Sequence, residues 1–207
     1  MKKFELTAEF VTNVFGKKLF RIKALVAFGN VEKGELGGFI EKEDNLSHDG
    51  DAWVYGNAQV YGNARVYDDA RVSGNARVYD DAQVFGNARV YGNARVYDDA
   101  QVSGDAQVYG NAQVSGDARV YGNAQVSGDA RVYDDADYAV VKGFGRCFRT
   151  TTFFRCKDKI LRVQCGCFYG DLAQFREIVK KTHGDSKYAK EYLAIADLME
   201  LHFSDEY

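Results

Sequence analysis

The sequence predicts a mainly β chain wound into a triangular coil of about five turns, with a β cap before it and an α+β cap after it. Three observations predict this. Ala and Val recur every six residues from Asp51 to Asp134, a period that divides evenly by the strand repeat of two but not by the helical 3.6. Successive hexads are joined by Gly-Asn, Gly-Asp or Asp-Asp, the residue types that best tolerate positive φ and so make corners. The repeat also has its own alphabet: residues 51–134 hold seven Arg and eleven Asp with no Lys and no Glu.

The chain has 207 residues and a formal net charge of −3, so a general electrostatic tether to nucleic acid or membrane is not implied. Residues 1–50 carry eight basic and eight acidic groups, and residues 135–207 twelve and eleven. The start, MKKFELTAEF, has no apolar run behind its lysines, and no stretch approaches a membrane span. The expectation is an intracellular protein whose four cysteines are thiols.

Taken in chain order, residues 1–45 form an N-terminal β-hairpin cap, with alternation over FELTAEFVTNVFGKKLFRIKALVA and a turn near Gly16-Lys17. Trp53 stands in an outward slot that Arg71 and Arg89 fill later, and is expected to lie against this cap. Residues 46–137 form the coil. Fourteen uninterrupted hexads of the form N/D-A-x-V-x-G/D run from Asp51 to Asp134, with NLSHDG before them as a worn copy. Alternation turns Ala and Val to one face and the residues flanking Val to the other. Each hexad is then a short strand plus a corner, and three of them close a coil around a narrow Ala/Val interior. One coil buries too little to fold alone, so the stack must be long and must be capped.

The pattern resembles the hexapeptide-repeat, left-handed parallel β-helix, in which an inward aliphatic residue is followed four positions later by a small one, as Val60 and Ala64 are here. The handedness is implied by that resemblance. The sequence departs from the family after the aliphatic residue, where Tyr61, Tyr67 and Tyr79 replace small or acidic residues. The flanks GELGGFIEKEDNLS and THGDSKYAKEYLAIADLMELHF are similar to the ends of uncharacterised phage and prophage proteins bearing such arrays, which implies a location in the cytoplasm of a bacterial host.

Taking every third hexad sorts the outward residues into columns. One side carries Tyr61, Tyr79, Tyr97, Ser115 and Tyr133 beside Gln59, Arg77, Arg95, Gln113 and Arg131. The corner leading into it stacks Asn57, Asn75, Asn93, Asn111 and Asp129, and the corner leaving it gathers Asp80, Asp81, Asp98, Asp99, Asp117, Asp134 and Asp135. Stacked like charges are a mild strain that a basic partner or a cation could relieve, although Asp is also simply a good corner residue. Tyr and Arg are the residues enriched at interface hot spots, although Tyr also suits strands. The candidate partner-binding residues are therefore Tyr61, Tyr79, Tyr97, Tyr133, Arg77, Arg95, Arg131, Asp80, Asp81, Asp98 and Asp99.

Residues 138–168 read as a β-hairpin region of two or three strands turning at Asp158. Arg146, Arg149, Arg155, Lys157, Lys159 and Arg162 are interleaved there with Phe144, Phe148, Phe153 and Phe154, a candidate contact for an anion or single-stranded nucleic acid; a solvated basic face over a Phe core is the competing reading. Residues 169–207 offer two helices. Leu172, Phe175 and Val179 line one stripe, ended by Gly184, and Tyr188, Tyr192, Ile195, Met199 and Phe203 line the other. These stripes are core or a homodimer contact. Cys147, Cys156, Cys165 and Cys167 lack the doubled short spacing of a zinc site and read as small buried residues.

An acyltransferase, the activity common among proteins resembling this fold, would need a catalytic His between subunits; His48, His183 and His202 lie outside the coils. No phosphate loop, Ser/His/Asp constellation or cofactor motif is present. The expectation is a non-catalytic binding protein without cofactor or metal, docking a protein partner through one side of a rigid rod. The phage resemblance implies a host macromolecule as that partner, such as a defence or nucleic-acid-handling effector that the protein inhibits. A structural or virion-associated role is the alternative.

Overall fold

The computed structural model describes residues 2–204. Strands β1 (Phe4–Thr12) and β2 (Lys18–Ala24) pair antiparallel from Phe4↔Ala24 to Thr12↔Lys18, and the turn between them falls at Gly16, φ +77°. Strand β3 (Leu36–Ile40) pairs antiparallel with β2 on one side. On its other side it runs parallel to the coil, with Ile40 beside Val60. Leu46 bridges to Val66 in the same sense. A first partial coil therefore begins at β3, ahead of the boundary at residue 46 read from the hexads. Ile40 and Leu46 serve there as the inward aliphatics, without the repeat's alphabet.

The coil itself is fourteen two-residue strands among the described residues, β4 at Trp53–Val54 through β17 at Arg131–Val132, one per hexad. Each pairs parallel with the strand eighteen residues on: Arg77 with Arg95, Gln83 with Gln101, Arg89 with Gln107. Three parallel sheets result, which makes a β-solenoid of about five turns. Every Ala and Val of the hexads is fully buried. Backbone bonds repeat from coil to coil at 2.7–3.1 Å, as in Arg77 N–H to Ala94 O and Tyr79 N–H to Val96 O. Six-residue periodicity thus satisfies two demands together: side-chain alternation fills the interior, and the corner realigns the next strand over the one beneath.

The corners follow one rule. Between the fourteen hexads the first residue of each joining pair takes positive φ (Asp134, after the last hexad, is extended at φ −145°), and it is Gly except at Asp68, Asp80 and Asp98, with φ of 57°, 59° and 56°. Those Asp residues offset the cost with their side chains. Asp68 accepts the Gly86 N–H at 3.1 Å and Asp98 the Gly116 N–H at 3.2 Å, each at the same corner one coil later.

Both ends of the interior are closed. At the start, Trp53 is fully buried against Phe4 and Phe28, as its place beside the cap predicts. Lys3 is buried there too, donating from Nζ to Gly50 O at 3.1 Å and Ala52 O at 3.0 Å. At the far end stands a four-stranded antiparallel sheet, β18 (Tyr138–Phe144), β19 (Arg149–Arg155), β20 (Leu161–Cys165) and β21 (Phe168–Asp171), with one strand more than the sequence reading allowed. Strand β19 lies across the last coil: Gln125 N–H donates to Thr152 Oγ1 at 3.0 Å, and Phe154 and Cys156 join the Ala/Val core. Tyr138 donates its hydroxyl to Arg119 O, closing the same end.

Helices α1 (Leu172–His183) and α2 (Lys187–His202) cover the outer face of that sheet. Asp171 caps α1, accepting the Gln174 N–H at 2.8 Å while Gln174 returns its Oε1 to Asp171 N–H. Phe175, Val179, Tyr192, Ile195, Met199 and Phe203 are buried on Phe153 and Val163, so most of the two apolar stripes is core. Tyr188 is left 38% exposed. A homodimer through these helices would have to use Leu198 and Leu201, 57% and 69% exposed, rather than the stripes. Among the described residues no helix is long and apolar enough to cross a membrane.

Candidate functional site

The eighteen-residue register brings the tyrosines of one side into a column. The rings of Tyr61, Tyr79 and Tyr97 lie parallel, 5.0 Å apart, with interplanar angles of 6° and 2°. Tyr97 also donates its hydroxyl to Gln113 Oε1 at 3.4 Å. Burial pushes the hydroxyl of Tyr79 up to about 12, with the neighbouring Tyr61 and Tyr97 adding to it. The rings of Tyr79 and Tyr97 are stacked, half-buried and rigid.

Tyr61 does not belong to the open surface. It is 4% exposed, sealed by Leu19 of β2 and Phe39 of β3. The hairpin that caps the solenoid therefore folds down over the first rung of the tyrosine column and removes it as a contact residue. Tyr79 is half-buried at the margin of that cluster, Tyr97 is half-buried, and Tyr133 is 53% exposed. Tyr133 stands apart from the stack because Ser115 interrupts the column and is buried.

Beside the rings, Arg77 and Arg95 are direct ladder neighbours, flanked by Gln59 and Gln113, and Arg131 follows two coils after Arg95. Arg77 and Arg131 are half-buried and Arg95 exposed. Among the described residues none of the three makes an ion pair or a hydrogen bond through its guanidinium. Two adjacent unpaired guanidinium groups repel one another, and an incoming carboxylate or phosphate would relieve them.

The acidic edge is ordered by hydrogen bonds. Asp81 accepts from Asn63 Nδ2 at 3.1 Å, and Asp98 accepts the Gly116 amide. The Asp80 carboxyl is pushed up by partial burial and by the Asp98 charge, with the Asp98 backbone amide the main opposing influence. Asp99 is exposed. Among the described residues no three His, Cys, Asp or Glu side chains gather as a group able to hold a metal ion, on this edge or elsewhere.

The opposite edge carries a feature that the site residues read from sequence leave out. Asn75 donates to Asn93 at 3.3 Å, Asn93 to Asn111 at 3.2 Å, and Asn111 to Asp129 at 3.1 Å. This amide ladder and the Arg77/Arg95 file border a shallow recess of about 260 Å³. The recurrence of Asn every eighteen residues was the signal for it.

The six basic residues proposed for an anion contact do not form one stripe. Arg155 is turned inward, 3.8 Å from Asp137, donating to Phe203 O at 3.1 Å and lying over the Phe203 ring. Arg162 pairs with Asp158 at 2.7 Å. Lys157 and Lys159 lie exposed at the Asp158 turn, while Arg146 and Arg149 are exposed beside Cys147 at another turn. Phe153 and Phe154 are fully buried, leaving Phe144 and Phe148 as the exposed rings. Alternation along β19 sends Phe153 and Phe154 into two cores, and the length of the strand separates the turn carrying Arg146 and Arg149 from the Asp158 turn at its other end. The cysteines depart from expectation as well: Cys156 is buried and Cys165 half-buried, but Cys147 and Cys167 are exposed, all four as free thiols.

Six segments within the coil, residues 58–72, 70–84, 82–98, 88–104, 112–128 and 124–136, match the family described as YdcK beta solenoid repeat. No curated protein matches the chain. The chain is thus similar to a beta-solenoid repeat family over its coils, in agreement with the winding described above.

Proposed function

We propose that the protein is a non-catalytic binding module that docks a macromolecule through the side bearing Tyr79, Tyr97, Tyr133, Arg77, Arg95 and Arg131, with Asp80, Asp81, Asp98 and Asp99 along its rim. The observation that carries this reading is the pairing of rigid stacked rings with unpaired guanidinium groups on one ladder. Such side chains have already lost their rotamer freedom to the stack, so a partner meets little ordering cost. Aromatic and Arg anchors of this kind dominate the energy of protein interfaces.

The finer parts of the reading come from the sequence resemblances. A left-handed, hexapeptide-type winding and a phage origin for the flanks imply action in the host cytoplasm on a host protein. A defence or nucleic-acid-handling effector that the module inhibits is the partner proposed. Affinity capture from host cells tests it, with Arg77→Glu/Arg95→Glu as the comparison. Both side chains point out of the core, so the variant should keep the circular dichroism of the parent. It should lose partner capture by at least about 100-fold, as expected for two hot-spot arginines. Undiminished capture by the variant would move the interface elsewhere. Recovery of the protein only in purified virions would favour a structural role instead.

A further inference from the structure

A second side of the solenoid holds a gap of one ring. Its outward column reads Tyr55, Ser73, Tyr91, Tyr109 and Ser127, each eighteen residues apart. Where two tyrosines are consecutive, as at Tyr91 and Tyr109, their rings lie parallel at 4.9 Å. Ser73 stands where the next ring of the stack belongs, so the Tyr55 and Tyr91 positions are two coil steps apart, about 10 Å, and both line the space between them. A planar ring inserted midway would lie about 5 Å from each, within the range of aromatic stacking.

The space is open and its walls are fixed. A recess of about 610 Å³ is lined by Tyr55, Ser73, Tyr91, Arg71, Arg89 and Gln107, among others. Tyr55 is held against the core beneath the N-terminal cap. Tyr91 is held by its stack on Tyr109 and by its hydroxyl, which donates to Gln107 Oε1 at 3.1 Å. Two other breaks in the columns are filled: Ser115 is buried, and Ser127 is buried beneath Gln164, to which it donates at 3.2 Å. The remaining break, Ser103 between Phe85 and Tyr121, is half-buried like Ser73, but its ladder row reads Gln83, Gln101 and Arg119, so it lacks the adjacent arginine pair.

The charge at the recess is specific. Arg71 and Arg89 are direct ladder neighbours, and among the described residues neither has an ion-pair or hydrogen-bond partner for its guanidinium. Arg71 acts on the hydroxyl of Tyr55, one coil before it, and Arg89 on that of Tyr91 in its own coil: burial raises Tyr55 and Tyr91, and Arg71 and Arg89 respectively oppose the rise. Glu35 and Asp51 also act on Tyr55, with less effect than Arg71.

We infer that the Ser73 gap is a binding site for a planar aromatic anion of mononucleotide size, its ring sandwiched between Tyr55 and Tyr91 and its negative group on Arg71 and Arg89. The site lies on a different side from the proposed docking surface, so either can fail without the other.

Isothermal titration of the full chain with four probes tests it. Adenosine 5′-monophosphate and naphthalene-2-sulfonate are the ring anions; adenosine keeps the ring without the charge, and ribose 5-phosphate the charge without the ring. At least one ring anion should bind in the micromolar to low-millimolar range, about tenfold or more tighter than adenosine or ribose 5-phosphate. Tight binding of the nucleotide alone would identify a nucleotide site, and binding of both a general aryl-anion site. Ser73→Tyr completes the stack with a residue that the column already uses, so it should fold normally and abolish binding. Arg71→Gln/Arg89→Gln should reduce the ring anion to the level of the uncharged ring. Unchanged affinity in Ser73→Tyr, equal binding of ribose 5-phosphate, or no binding of either ring anion at about 5 mM would overturn the assignment.

Discussion

Replacing Gly104 should be less damaging with Asp than with Ala, against the usual ranking of a small apolar residue over a charged one. Gly104 opens a corner at φ +65°, and a Cβ built there meets the backbone of the next coil, 3.0 Å from Gly122 N and 3.2 Å from Gly122 O. That neighbour cannot retreat, because Asp105 N–H is tied to Gly122 O at 2.8 Å. Any side chain therefore incurs the positive-φ strain and the close approach, about 1–3 kcal/mol. It also gains the same relief, about 0.4–1 kcal/mol, from a less flexible unfolded chain. The close approach and the unfolded-chain relief are common to both variants and cancel in the comparison, and the positive-φ strain is smaller for Asp, in the same direction as the difference expected. Asp alone can repeat what Asp98 does with Gly116, and accept the Gly122 amide. One such bond is worth about 1 kcal/mol. Gly104→Asp should therefore unfold in urea about 1 kcal/mol above Gly104→Ala at pH 7, and the advantage should fade on acidification as the carboxylate protonates. Equal midpoints, or a more stable Ala variant, would refute the account of the corners.

Val96 lies between Val78 and Val114, fully buried and unable to collapse, so Val96→Ala should cost about 2–3 kcal/mol in the same assay. Asn93 both accepts and donates in the amide ladder, and because it is exposed Asn93→Ala should cost only about 1 kcal/mol. Burial lowers Lys3 from 10.5 to about 8, opposed by Asp51, Asp49 and Asp69. The unfolded chain then binds the extra proton between those values, so stability should rise from pH 8 to 10.5, by at most about 3 kcal/mol. Burial raises Tyr79, Tyr169 and Tyr192 to about 12, so the fold retains protons that the unfolded chain sheds, and stability should fall again above pH 10. In Lys3→Met, followed through Trp53 fluorescence, the rise should vanish and the fall remain.

The coil could be read from sequence because hexad periodicity answers to a local rule, alternation plus a corner, repeated without interruption. Once that rule set the register, the ring stack of Tyr79 and Tyr97 and the Arg77/Arg95 file followed. What escaped depends on packing between unlike elements. Nothing local at Tyr61 distinguishes it from Tyr79, and only the hairpin carrying Leu19 buries it. The start of the coil at Ile40 escaped because the cap strand imitates the geometry of the repeat without its residues. The basic run from Arg146 to Arg162 misled because β19 holds the turn at Cys147 and the turn at Asp158 at its opposite ends, and because Arg155 and Arg162 are engaged by Asp137 and Asp158, so cations close in sequence are not neighbours in space.

The eighteen-residue coil underlies every column invoked here, and disulfide trapping measures it directly. Gln83 and Gln101 are paired outward neighbours, with Cα atoms about 4.8 Å apart, inside the range a disulfide spans. Gln83 and Arg95 stand on different sides of the triangle. Under mild oxidation with mass-spectrometric mapping, Gln83→Cys/Gln101→Cys should cross-link within the chain and Gln83→Cys/Arg95→Cys should not. A bridge in the second variant, with none in the first, would contradict the three-sided winding and everything placed upon it.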